Sequence, residues 1–113
     1  MYKFLLIFFI AFGAQADTDW ARVAMNTAVV LDWAQTRDIR NHADLQESNK
    51  LLGPNPTDAE INRFFILILV SYNLAGEYLI SEKYQAYFYA GIGMAHADSV
   101  MHNHSVGVTF KFD

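Results

Sequence analysis

The sequence predicts a mainly α-helical protein. A helical hairpin of residues 18–41 and 57–80 follows a signal segment and precedes a C-terminal extended strand or β-hairpin. Apolar residues recur at helical spacing in both helical stretches. The Gly-Pro-Asn-Pro segment at 53–56 interrupts the helical pattern between them. Residues 105–112 alternate between apolar and polar side chains, which is typical of a strand.

Residues 1–16 have the three parts of a secretory signal: basic Lys3, an apolar run over 4–12, and the small residues Ala14 and Ala16. The apolar run is far shorter than the roughly 20 residues that cross a bilayer core. We therefore expect cleavage after this signal, one small domain over 17–113, and export to the inner membrane or periplasm. The alternative is an uncleaved anchor that continues into the first helix.

The composition excludes one class of partner and limits the sources of stability. The chain carries eight basic and twelve acidic residues, a formal net charge of −4, which disfavours nucleic acid as a partner. It contains no cysteine, so no disulfide can staple this small domain. Stability must come from packing, from lipid or from another subunit. The partners we expect are therefore a membrane, a second copy of the chain or an envelope protein.

The end of the first helix carries Asp32, Gln35 and Thr36, whose spacings of three and four place them on one face. We expect the Thr36 hydroxyl to donate to the Asp32 carboxylate. One interpretation is a polar patch that satisfies its own hydrogen bonds. The other is a functional site in which the Asp32 carboxylate binds a cation or a proton in a low-dielectric pocket.

The second helix is predicted to begin with a capping box, since Thr57 is followed three residues later by Glu60. Residues 64–80 are strongly apolar and approach the length of a short transmembrane helix. Such a helix lies either in lipid or in a protein core. Glu77 needs a polar partner in this apolar stretch, and an antiparallel hairpin predicts a pair with Arg22.

The region after the second helix supports two predictions. The alternation at 105–112 favours a strand with its valines and phenylalanines on one face. Residues 84–97 are then the hairpin partner of that strand. Alternatively, residues 84–103 form a third helix that precedes a short strand, with Gly91 and Ala95 making a small-x-x-x-small contact.

Four residues of this region are candidate ligands for a divalent transition metal: His96, Asp98, His102 and His104. On a hairpin, His102 and His104 point the same way and His96 can oppose them. Neutral imidazoles with one carboxylate suit zinc, copper or nickel. The spacing matches no established metal signature, and the alternative interpretation is a set of solvated side chains.

Four segments carry a resemblance to known proteins: DWAQTRDI at 32–39, ESNKLLGPNP at 47–56, INRFF at 61–65 and GVTFKF at 107–112. They resemble small exported or membrane proteins encoded by tailed phages and prophages. The chain is also similar to small helical membrane domains with D-x-x-x-T and E-x-N-P patterns, although Lys50 replaces that proline. The resemblance implies a bacterial or phage setting and no activity. It also implies a polar cluster of Asp32, Gln35, Thr36, Glu47 and Asn49.

Two functions agree with these patterns. The sequence contains no nucleophile motif and no phosphate-binding loop, so we expect a protein that is not an enzyme. The favoured function is a structural or interaction protein of the bacterial envelope, associated with the membrane, of phage origin by resemblance and without a cofactor. The alternative is a soluble periplasmic module that binds a metal ion or small ligand through the four residues at 96–104.

Overall fold

A computed structural model describes residues 18–39, 41–42, 51–53 and 55–112. They form three helices: α1, Thr18–Ile39; α2, Asp58–Tyr78; and α3, Glu82–Ser105. The mainly helical fold class is confirmed, and α1 and α2 agree with the predicted hairpin to within two residues. The predicted signal at 1–16 lies outside the described residues.

The beginning of α2 follows the predicted capping box. The Thr57 hydroxyl accepts a hydrogen bond from the Glu60 backbone N–H at 3.1 Å. The Glu60 carboxylate in turn accepts one from the Thr57 N–H at 3.1 Å. These two bonds satisfy donors that the first turn of a helix leaves without partners. A local sequence signal therefore sets where α2 starts.

The third helix, α3, decides between the two predictions for residues 84–104. Residues 84–104 are helical throughout. The alternative prediction of a third helix is therefore confirmed, and the predicted β-hairpin of this region is wrong. Gly91 and Ala95 do not make the predicted contact with another helix, since both are exposed. The buried small residues of α3 are instead Ala90, Gly93 and Ala97. Small side chains on this other face let α3 lie close to α1.

The predicted C-terminal strand is not confirmed. Gly107, with φ of +96°, turns the chain after α3, and the segment 108–112 then lies along α1 without forming a strand. Val108 is buried, and the Lys111 N–H donates to the Ala34 carbonyl at 3.0 Å. The described residues include no neighbouring strand for 108–112 to pair with. Of the alternating apolar side chains in this segment only Val108 is buried, whereas Phe110 and Phe112 are exposed, so the alternation does not mark a buried face.

All three helices contribute to the main core. The buried members of that core are Ala21, Met25, Val29, Ile61, Phe65 and Tyr89. Tyr89 packs so closely on Gly76 of α2 that a Cβ at that position would overlap the phenol ring. Trp33 stacks on Phe65 at 6.0 Å between ring centroids, whereas Trp20 is largely exposed. The core thus contains one of the two tryptophans.

None of the described helices combines the length and the apolar character that crossing a membrane requires. The transmembrane interpretation of residues 64–80 is therefore not supported. Asn73 and Glu77 interrupt that stretch on the side of α2 that contacts α1.

Candidate functional site

One polar side chain from each helix meets in a hydrogen-bonded row, which we call the three-helix polar chain: Asp32 of α1, His96 of α3 and Tyr72 of α2. The Nδ1 atom of His96 lies 2.6 Å from Asp32 Oδ2, and its Nε2 atom lies 3.2 Å from the Tyr72 hydroxyl. The Asp32 and His96 side chains are only 13% and 14% exposed. The Tyr72 and His96 rings also meet edge to face, at 5.7 Å between centroids.

The protonation of Tyr72 gives the three-helix polar chain a direction. Burial raises the pKa of Tyr72, and the nearby negative charge of Asp32 raises that pKa further. The phenol therefore keeps its proton at neutral pH and donates a hydrogen bond to Nε2 of His96. A neutral His96 then carries its hydrogen on Nδ1 and donates to the Asp32 carboxylate.

Two other members of the predicted polar cluster are also hydrogen-bonded: Gln35 to α3 and Thr36 within α1. Gln35 is fully buried; its amide nitrogen donates to the Val100 carbonyl at 3.0 Å and its oxygen accepts from Asn103 at 3.2 Å. Thr36 donates to the backbone carbonyl of Asp32 at 2.8 Å. The predicted Thr36 bond to the Asp32 carboxylate is wrong, because that carboxylate turns toward His96. These bonds agree with the interpretation of a polar patch whose hydrogen-bonding groups find their partners within the protein.

Glu77 pairs with Arg22 as the sequence predicts, with Nη1 and Oε2 3.0 Å apart. Arg22 Nε also donates to Asn73 at 2.6 Å, and Asn73 donates to Asn26 at 2.9 Å. Arg22 lies ten residues before Asp32 in α1, which is roughly 15 Å of helix. The Glu77 pair is therefore a second polar group, separate from Asp32. Glu47 and Asn49, the remaining members of the predicted cluster, lie outside the described residues.

Sequence reasoning missed Asp38, which holds the C-terminal segment against α1. Its Oδ2 atom accepts hydrogen bonds from the Thr109 N–H at 2.8 Å and the Thr109 hydroxyl at 3.0 Å. Asn41 and His42 also bond to its carboxylate, at 3.1 and 2.9 Å. Burial would raise the pKa of Asp38, but the hydrogen bonds from Thr109, Asn41 and His42 outweigh it and lower the pKa to about 2. No local pattern points to this contact, since Asp38 and Thr109 are 71 residues apart.

The four predicted metal ligands do not come together. His96 points into the three-helix polar chain, whereas Asp98, His102 and His104 are exposed on α3. Residues two apart on a helix diverge by about 200°, so the shared face expected of a hairpin is lost. Among the described residues, no group of three or more histidine, aspartate or glutamate side chains is placed to hold a metal ion.

The other side of α2 carries an apolar stripe, which we call the α2 outer face. It consists of Ile66, Leu67, Val70, Leu74 and Tyr78, each of them 50–76% exposed. Their spacing keeps them on one side of the helix, away from the buried Ile61 and Phe65. Scattered exposed apolar residues are ordinary, but a contiguous stripe of this kind marks an interaction surface.

Comparisons of the chain with protein-family models, with curated proteins and with solved structures give no match. Evidence on function must then come from the structure itself, and two features of the described residues supply it. The three-helix polar chain joins the helices internally, and its polar groups bond to one another. The α2 outer face presents large apolar side chains to the surroundings, so it is a surface available to a partner.

Proposed function

We propose that this protein is a small structural or interaction protein of the bacterial cell envelope, without enzymatic activity, that lies against a membrane surface through its α2 outer face. The observation that carries the proposal is the contiguous exposure of five large apolar side chains on one side of α2. The stripe from Ile66 to Tyr78 extends for about 18 Å of helix. Interfacial helices bind by burying such a face at the boundary between headgroups and acyl chains.

Charge and the N-terminal sequence bear on the same proposal. The chain is acidic, with a net charge of −4, so attraction to anionic lipid is not the driving force. Apolar burial is the contribution that remains, and it is insensitive to salt screening. The secretory pattern at 1–16 supports export, and the resemblance supports a bacterial host and a phage origin.

Flotation of the purified protein with uncharged phosphatidylcholine vesicles tests the membrane association. We expect the wild-type protein to float with the vesicles at low and high salt. The double variant Leu67→Gln/Leu74→Gln should lose at least ten-fold in vesicle partitioning, because it places two amides on the α2 outer face. Tyr84→Gln/Tyr87→Gln is the matched control, since those α3 side chains are similarly exposed, and it should float like the wild type.

Two results would overturn this proposal. One is equal partitioning of the two double variants, which would remove the α2 outer face from the interaction. The other is a wild-type protein that stays at the bottom of the gradient. If sedimentation then shows a dimer that Leu67→Gln/Leu74→Gln dissociates, a second copy covers the face. Carbonate extraction of membranes from cells that express the full chain, with the mass of the product, tests envelope location and signal cleavage.

A further inference from the structure

The backbone of the C-terminal segment, residues 108–112, is extended, although it belongs to no sheet among the described residues. The N–H groups of Thr109 and Lys111, two residues apart, both donate to acceptors on α1, at 2.8 and 3.0 Å. The rings of Phe110 and Phe112, also two residues apart, stack with their centroids 6.2 Å apart. An extended chain repeats every two residues, so alternate residues share a side. Both sets of contacts have this repeat.

One edge of this extended segment is occupied by α1, and the other edge is open. Neighbouring residues of an extended chain point their N–H and C=O groups to opposite sides. Since the residues at 109 and 111 direct their N–H groups at α1, Phe110 and Phe112 direct theirs away from it. Among the described residues, nothing accepts a hydrogen bond from either phenylalanine N–H, and the two residues are 39% and 67% exposed. Such a row of unpaired backbone groups is a template for a second extended chain.

We propose that this open edge pairs with the same edge of a second copy of the chain, as an antiparallel two-stranded ribbon whose two-fold axis passes beside Phe110. In this register the Phe110 residues of the two copies donate to each other's carbonyl oxygens. Phe112 of each copy donates to the Val108 carbonyl of the other. The Val108 N–H is not needed, and it already donates to the Asn103 carbonyl at 3.0 Å. The register therefore uses the N–H groups that are free and none that α1 or α3 already binds.

The chemistry of this register favours a second copy as the occupant of the edge. Lys111 of one copy lies opposite Thr109 of the other, so no like charges face each other. The two Phe110 side chains form a cross-strand aromatic pair, which is a stabilising kind of pair. Because α1 covers the inner edge of both segments, the ribbon has no open edge and closes as a dimer. Contact with α1 also fixes each segment before pairing, which lowers the entropic cost of association.

Sedimentation equilibrium of the purified protein at increasing concentration tests this dimer. The ribbon is short, so we expect a weak dimer with a dissociation constant below about 1 mM. Phe110→Pro removes the central N–H, and its fixed φ is compatible with an extended chain. Phe110→Ala removes the same ring but keeps the N–H, so it is the matched control. The dissociation constant of the proline variant should exceed that of the alanine variant at least ten-fold, because each copy loses a hydrogen bond.

Amide exchange measured by NMR tests the wild-type protein without a substitution. The Thr109 and Lys111 amides should be protected at every concentration, because they donate to α1. The Phe110 and Phe112 amides should exchange rapidly in dilute solution and at least ten-fold more slowly in the dimer. A mixture of labelled and unlabelled protein should also show an intermolecular contact between the Hα atoms of Thr109 and Lys111, which lie opposite each other in this register.

Any of three results rules out the proposed dimer. One is a protein that stays monomeric at about 1 mM, with exchange of the Phe110 and Phe112 amides that does not depend on concentration. Another is a dimer that the proline and alanine variants weaken equally while circular dichroism shows that both are folded. The third is a dimer that Leu67→Gln/Leu74→Gln dissociates, since the α2 outer face then provides the contact. The open edge includes no residue of that face, so dimerisation and membrane association are tested independently.

Discussion

The contacts of α1 with α3 differ in kind from its contacts with α2. Of the 22 residues of α1, nine are buried, and fully buried Gln35 joins α1 to α3. Of the 21 residues of α2, only three are buried. Small residues such as Ala28 and Ala97 meet where α1 and α3 pack. The central helix is therefore α1, whereas much of the apolar surface of α2 faces outward and is available to a partner.

The polar side-chain pairs that connect α1 to its two neighbours also differ in burial. Asp32 and His96 connect α1 to α3 at 2.6 Å with both side chains almost buried. Arg22 and Glu77 connect α1 to α2 at 3.0 Å with side chains 35% and 50% exposed. Water screens an exposed pair, and side-chain entropy opposes it, so such pairs contribute little stability. The α1–α3 interface should therefore dominate the free energy of unfolding.

The largest expected difference separates a buried residue of α1 from an exposed residue of α2. Met25→Ala should lower the free energy of unfolding by about 2–5 kcal/mol, because Met25 is fully buried and its truncation leaves a cavity. Leu67→Ala should change it by less than about 0.5 kcal/mol, because Leu67 is 65% exposed. Urea unfolding followed by circular dichroism measures both. Equal losses would contradict the contrast between the two helices.

The next largest effect on the free energy of unfolding comes from breaking the polar side-chain pair that connects α1 to α3 or the one that connects α1 to α2. His96→Leu should cost about 3 kcal/mol, because it leaves the nearly buried Asp32 carboxylate without its histidine partner. Glu77→Gln should cost less than about 1 kcal/mol, because its pair with Arg22 is exposed. The double variant Asp32→Leu/His96→Leu should recover part of the loss. If Glu77→Gln costs as much as His96→Leu, the two interfaces are equivalent.

A smaller effect, and one that depends on pH, is expected at the C-terminal segment. The folded-state pKa of Asp38 is about 2, below its ordinary value of 3.8, so its contribution is fully present above pH 4 and is lost as pH falls through 2. That contribution is roughly 2 kcal/mol. Asp38→Asn should flatten the fall in stability between pH 4 and 2, as measured by urea unfolding. The exposed Asp98→Asn is the control, and an equal flattening there would contradict this role of Asp38.

The contacts that were predicted correctly join residues that are close in sequence, or residues that face each other when α1 and α2 pair as an antiparallel helical hairpin. Thr57 and Glu60 are three residues apart, so their capping box follows from helix geometry alone. Arg22 and Glu77 follow from placing α1 and α2 antiparallel. The contact of His96 with Asp32 has no comparable signal, since it requires residues 84–104 to be helical and to pack on α1.

The sequence by itself determined the helical class, the beginning of α2 and the presence of polar groups that needed partners. These features depend on apolar spacing, capping residues and turn residues, which act over a few residues. Only the tertiary structure decided that His96 joins Asp32 and Tyr72, that Asp38 holds Thr109, and that the C-terminal segment packs on a helix. Such contacts join residues far apart along the chain. Which partners meet depends on how whole helices pack, since only packing removes their apolar faces from water.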